Sequence, residues 1–284
     1  MKIFGFYDIL FLTKERGNLQ ERTHFRKHKQ RERENLTMEF TYAAYRKLLL
    51  LLHERDYVFR DYHNYGDAPR CVILRHDIDS SLNQAVRLAE LEAEEGVHST
   101  WFVLLRTDFY NVASKAGQEA LRHIQSLGHE IGLHFDEASY VPLLDSDEVI
   151  ENIIKECGLL SALLSGEPHQ EISCVSMHRP SPATLEADYE IPGIVNSYGK
   201  TFFRDFKYLS DSRRKWREPV LDIIRSGKYD RLHILTHAFW YHEVEEDISQ
   251  TVGAFIRSAN RERYSQMAEN ITDIVSILKE EDVL

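Results

Sequence analysis

The sequence predicts an α/β chain folded as a complete or incomplete (β/α) barrel of about seven parallel strands. Three observations predict it. From residue 40 onward, short runs of branched and aromatic residues alternate with segments of helical period, the pattern of successive βαβ units. About seven such runs fit within the length of one barrel domain. Ionisable side chains of metal-ligand type follow most of the runs, and the C-terminal strand ends of a barrel or open parallel sheet form one rim where sites sit.

The elements follow in order. Residues 42–55 carry a leucine-rich helical face, and 71–75 form the first strand. Residues 81–95 read as a helix, with Leu82, Ala85, Val86 and Ala89 at helical spacing and Gly96 as the stop. A strand at 99–105 precedes a helix at 118–127 that ends on Gly128, and a strand follows at 129–134. In the helix 147–164, Val149, Ile153, Leu160 and Leu164 share a stripe. Strands are expected at 172–177, 193–197, 206–209 and 232–236, a helix at 216–225, and one or two closing helices in 248–278.

Residues 1–37 hold nine Lys/Arg against five Asp/Glu, about +4, and read as a basic, solvated tail. Ordered patterning begins at Met38, a candidate natural start, so the expected domain is 38–284. With a total of -11, that domain sits near -15, which argues against nucleic acid or an anionic membrane as main partner. The three cysteines, Cys71, Cys157 and Cys174, form no CxxC pair and lie in apolar runs, so buried thiols are expected rather than disulfides or a cysteine zinc site. No apolar run reaches the roughly 18 residues of a membrane span, and no signal peptide is evident; the expected location is cytoplasmic.

The strand ends supply the chemistry. The first is followed by His76, Asp77 and Asp79, the second by Arg106 and Asp108, and the third by His134 and Asp136. The fourth is followed by His178 and Arg179, the sixth by Asp211 and the last by His237. Two carboxylates two residues apart suit one metal ligand and one proton acceptor, imidazoles suit the remaining metal positions, and a further histidine suits proton donation. His129 and His233 read as structural, and a lone Asp79 would read equally well as a helix cap.

At this point Arg75-His76-Asp77-Ile78-Asp79, Gly96-Val97-His98-Ser99-Thr100-Trp101-Phe102, Gly128-His129-Glu130-Ile131-Gly132-Leu133-His134, Arg179-Pro180-Ser181-Pro182 and Leu235-Thr236-His237 together resemble the polysaccharide deacetylases. This is the NodB-homology group, carbohydrate esterase family four; the Arg-His-Asp-x-Asp variant looks like a subgroup found near bacterial surface-polysaccharide genes. The resemblance spans roughly residues 72–241. It implies a distorted barrel and a metal-dependent hydrolase that removes an N-acetyl group from an amino sugar. It further implies a divalent metal, Zn2+ first and Co2+ or Ni2+ next. Asp77 matches the general base, Asp79 a metal ligand, His134 the first metal histidine, Arg179 the residue orienting the base, and His237 the general acid. Asp211 and Trp216 match a segment lining the site, and Trp216, Phe239, Trp240 and Tyr241 are candidates for stacking on a sugar ring.

One position departs from the family pattern. Its second metal histidine falls on Ala138. His178 or Asp136 would replace it, and His178 is the choice because two histidines and an aspartate make a normal zinc set. If neither does, the chain is an inactive carbohydrate-binding homologue on the same fold. A metal-dependent phosphoester hydrolase is a third reading, but the phosphate clamp it would want is not visible beyond Arg106 and Arg179.

Overall fold

A computed structural model describes residues 38–140, 145–166 and 171–283. The basic tail expected at 1–37 lies outside the described residues. The central strand is β2 (Cys71–Ile78), buried along its whole length. One edge of β2 pairs with β8 (Arg231–Thr236). The other edge is shared: β1 (Val58–Arg60) pairs with its first half and β3 (Thr100–Leu104) with its second. Then come β4 (Glu130–Phe135), β5 (Cys174–Met177) and the two-residue β6 (Val195–Asn196), while β7 (Lys207–Ser210) lies outside β8.

The order is therefore β6-β5-β4-β3-β2-β8-β7, and every ladder is parallel. The sheet curls into a half-barrel, with no ladder joining β6 to β7 among the described residues. The expected distorted (β/α) barrel is what the chain adopts. Two short elements escape the pattern, β1 and the helix at Pro182–Ala187, because three to six residues are too few to set a period.

The helices are α1 (Tyr42–Glu54), α2 (Leu82–Glu94), α3 (Lys115–Ser126), α4 (Ser146–Leu163), α5 (Pro182–Ala187), α6 (Val220–Ser226), α7 (Ile248–Asn270) and α8 (Ile274–Ile277). Local chemistry starts them. Thr41, Ser81 and Ser114 accept hydrogen bonds from the first-turn amides of α1, α2 and α3, and Asp145 forms a capping box with Glu148 at α4. Each cap contributes about 1 kcal/mol. The helix expected at 216–225 begins at Val220, since Pro219, which lacks an N–H, occupies its N-cap.

Strand alternation separates two cores. On β2, Val72, Leu74 and Ile78 join the larger cluster with Leu48, Leu49, Leu88 and Ile124 from the helices. Cys71 and Ile73 face the concave side and pack with Tyr62, Phe102, Cys174, Phe202 and Phe206. This second cluster plugs the interior below the rim. Gly132 is required there: a Cβ would lie 2.6 Å from the Phe102 ring and 2.7 Å from Cys174 Sγ. All three cysteines are buried free thiols.

A buried polar network ties β2 to the helices. Glu92 of α2 is fully buried and accepts hydrogen bonds from the Tyr45 and Ser99 hydroxyls. His76 bridges Glu92 (2.9 Å) and Thr236 (2.6 Å) and stacks on Trp101. Burial pushes the Glu92 carboxyl up, yet His76 outweighs it and holds the group ionised. His129 and His233 are structural, as expected. The first contacts the Ala89 carbonyl at 2.9 Å and the second the Tyr62 hydroxyl at 2.8 Å.

Candidate active site

On the concave face of β2, Arg75 and Asp77 stand two residues apart and point the same way. The Arg75 guanidinium is fully buried and grips Asp77 with two hydrogen bonds, Nε to Oδ1 at 3.1 Å and Nη2 to Oδ2 at 2.8 Å. Its other donors go to Ser176 Oγ (2.6 Å) and Ser197 Oγ (3.1 Å), and it lies over the rings of Phe102 and Tyr198. Burial pushes the Asp77 carboxyl up, but Arg75 and then His134 outweigh that and hold it well below the usual carboxylate range. A buried ion pair of this kind survives only with its hydrogen bonds satisfied, and here they are.

Asp79, just past the end of β2, meets His134 from the end of β4 and His178 from beyond β5. One ligand atom from each lies within 4.8 Å of the others. Asp79 Oδ1 is 3.4 Å from His134 Nε2 and 4.0 Å from His178 Nε2. That oxygen is buried with no hydrogen-bond partner among the described residues. The rear nitrogens of both rings are held: His134 Nδ1 by Ser176 Oγ at 3.1 Å, and His178 Nδ1 by Asp136 Oδ2 at 3.3 Å. Burial and the neighbouring His134 keep His178 below its ordinary value and so neutral. Two anchored imidazoles facing an orphaned carboxylate oxygen fit a divalent cation.

Across the cleft, His237 follows β8. Its Nδ1 meets Asp211 Oδ1 at 2.6 Å, and Asp211 Oδ2 accepts from the His237 amide and the Tyr241 hydroxyl, each at 3.1 Å. His237 Nε2 points toward Asp79 Oδ2, 3.8 Å away. Burial favours the neutral ring, but Asp211 overrides it and raises His237 to about 9. Asp77, Asp79, His178, His237, Phe239 and Trp240 line a cleft of about 500 Å³. A neighbouring hollow of about 840 Å³ shares Ser80, Thr107, Asp108 and Phe109 with it.

Several residues sit otherwise than the sequence suggested. Arg179 does not touch Asp77; it donates to Asp136 Oδ2 at 2.8 Å and its side chain is 68% exposed. The cause is local. Strand β5 ends at Met177, Ser176 and His178 alternate onto the concave side, and Arg179 adopts a left-handed φ of 48° that turns it to Asp136 on the wall of the cleft, away from Asp77. Arg75 makes the contact expected of Arg179. Asp136 stands behind His178 rather than inside the triad. Asp211 is fully buried behind His237, and Trp216 packs in the helix-side core, so neither lines the cleft. Trp240 does line it, and Ala138 lies in a short turn after β4.

Ser176 was not foreseen, and Arg75 stood in the motif without a role; Tyr241, a candidate for stacking on a sugar, is instead buried and donates to Asp211. For Arg75 the signal was present, because an arginine two residues before Asp77 in an apolar strand must share its face.

No family model matches the chain, and no curated protein matches its sequence. Among solved structures, the chain is similar to a CE4 family pseudoenzyme from Bacillus anthracis, with 16% identity and a TM-score of 0.40 over 67% of this chain and 61% of that one. It is also similar to a CE4 esterase of Streptococcus mutans, with 14% identity and a TM-score of 0.44 over 66% and 78% of the two chains. A family 4 acetyl xylan esterase from Clostridium thermocellum, in complex with a cobalt ion, has 15% identity and a TM-score of 0.38 over 66% and 82%. The chain spans about three fifths of the length of the Bacillus anthracis protein. No described helix is long and apolar enough to cross a membrane.

Proposed function

We propose that this chain is a metal-dependent hydrolase that removes the N-acetyl group from an amino sugar, in the manner of carbohydrate esterase family four. The observation that carries the reading is one cleft bearing an Asp-His-His triad between two differently charged groups, an anionic Asp77 and a cationic His237.

Asp79, His134 and His178 would hold the metal, with Zn2+ the first candidate and Co2+ or Ni2+ the alternatives. Such an ion, when bound, acidifies water and polarises an amide carbonyl. The rest of the chemistry belongs to the chain. Asp77, kept ionised by Arg75, accepts a proton as water adds to the carbonyl carbon. His237, kept protonated by Asp211, donates its Nε2 proton to the sugar nitrogen as the C–N bond breaks. Acetate and a free amine leave, the proton on Asp77 passes to solvent, and His237 takes up a proton from solvent, which restores both groups. Trp240 and Phe239 offer faces against which a sugar ring can stack.

Ala138, standing where the family has its second metal histidine, would by itself favour an inactive carbohydrate-binding homologue. His178 beside Asp79 and His134 supports a complete ligand set without it.

The test uses the full chain, metal analysis and NMR detection of acetate released from N-acetylhexosamine substrates. Asp77→Asn is expected to abolish turnover while retaining metal, and His134→Ala to lose both. Full activity of Asp77→Asn would remove Asp77 as base, and refusal of zinc, cobalt and nickel by the unsubstituted chain would favour the inactive homologue.

A further inference from the structure

We propose that Arg75 and Ser176 form one positioning device that locks the carboxylate of Asp77 to the imidazole of His134, an inference that rests on the triad reading above. The connection is continuous. Arg75 Nη2 donates to Asp77 Oδ2 at 2.8 Å and to Ser176 Oγ at 2.6 Å, and the same Ser176 oxygen lies 3.1 Å from His134 Nδ1. Both Arg75 and Ser176 are fully buried, so water does not substitute for either contact.

Arginine only donates, so Arg75 occupies one acceptor position of Ser176 Oγ. The serine hydroxyl can donate to His134 Nδ1 or accept from it. A cation on Nε2, the atom facing Asp79, needs the Nε2 lone pair, which puts the ring hydrogen on Nδ1 and makes Ser176 its acceptor. One guanidinium thereby sets the orientation of the base directly and of a triad histidine at one remove.

Three strands supply the parts: Arg75 and Asp77 from β2, His134 from β4 and Ser176 from β5. Strands β4 and β5 are paired with His134 opposite Ser176, so the serine reaches the ring without distortion of either strand. Ser176 and Arg75 touch neither the cleft nor its contents; they act through Asp77 and His134.

The experiment measures cobalt(II) affinity and the visible absorption of the cobalt complex in the full chain. Ser176→Ala leaves the Arg75–Asp77 pair intact and is expected to weaken cobalt binding about 10–100-fold and to change the spectrum. Arg75→Lys, a point charge that cannot serve both partners, is expected to weaken it by a similar factor, and the two effects should be non-additive in the double variant. Ser197→Ala is the control, because it removes another Arg75 contact without touching His134 and should change affinity less than about threefold. If Arg75→Lys fails to fold, Ser176→Ala and its control still decide. Unchanged affinity and spectrum in Ser176→Ala overturn the proposal, as does an equal loss in Ser197→Ala. No cobalt binding by the unsubstituted chain would instead remove the triad reading on which it stands.

Discussion

At His237, burial and charge pull in opposite directions, and the balance sets a pH window. Burial favours the neutral ring, but Asp211 at 2.6 Å raises the imidazole to about 9, against about 6.5 in the unfolded chain. The protonated ring therefore stabilises the fold fully below about pH 6.5, and that contribution is lost as pH rises through about 9. Its size is on the order of 3 kcal/mol in the metal-free protein. Asp211→Asn should lower thermal stability at pH 6 much more than at pH 10, and should move the alkaline limb of activity to lower pH. A melting profile with the same pH dependence as the parent would contradict this. The aspartates and histidines were legible as candidates because each stands at or just past the end of a strand. Their partners were harder to read. Asp211 looked like a cleft residue because its sequence position says rim, whereas its contact with the His237 amide draws it beneath the ring. Arg179 matched by motif, and its left-handed backbone directs it to Asp136 rather than to Asp77.

At the scale of elements, the helices and the longer strands were legible from period and caps, since each buries a continuous apolar face. Two short elements were not: β1, of three residues, and the six-residue α5 carry too little sequence to set a period, and β1 is defined by its pairing with β2 rather than by local pattern. Strand β4 shows how tightly the concave side is filled. Gly132 stands one position before Leu133 and two before His134, and its missing side chain gives Phe102 and Cys174 their space. Gly132→Ala should cost roughly 1–3 kcal/mol through overpacking and should also weaken metal binding, because the strand that carries His134 must shift. Denaturant unfolding checks the first effect and cobalt titration the second. A variant as stable as the parent would show that the interior yields more than the contact distances imply.

For the whole molecule, the triad links three strands that meet only through the sheet: Asp79 follows β2, His134 closes β4 and His178 follows β5. A bound cation would clip these strand ends together across β3, which separates β2 from β4. The ligands are brought together only in the folded chain, so binding should stabilise it by mass action, about 2.7 kcal/mol at a free metal concentration 100 times Kd. For a domain of this size that corresponds to roughly 5–10 °C in the melting temperature. The acidic body adds a long-range attraction for cations, but salt screens it beyond about 10 Å, so the shift should persist at 0.5 M NaCl if the triad is responsible. His134→Ala and His178→Ala should abolish the zinc-dependent rise, whereas Asp136→Asn, which loosens His178 from behind, should reduce it. Differential scanning calorimetry without zinc and with free zinc at about 100 times Kd separates these outcomes. A rise of equal size in His178→Ala would mean that His178 is not a ligand, and would return the third position to the question first raised by Ala138.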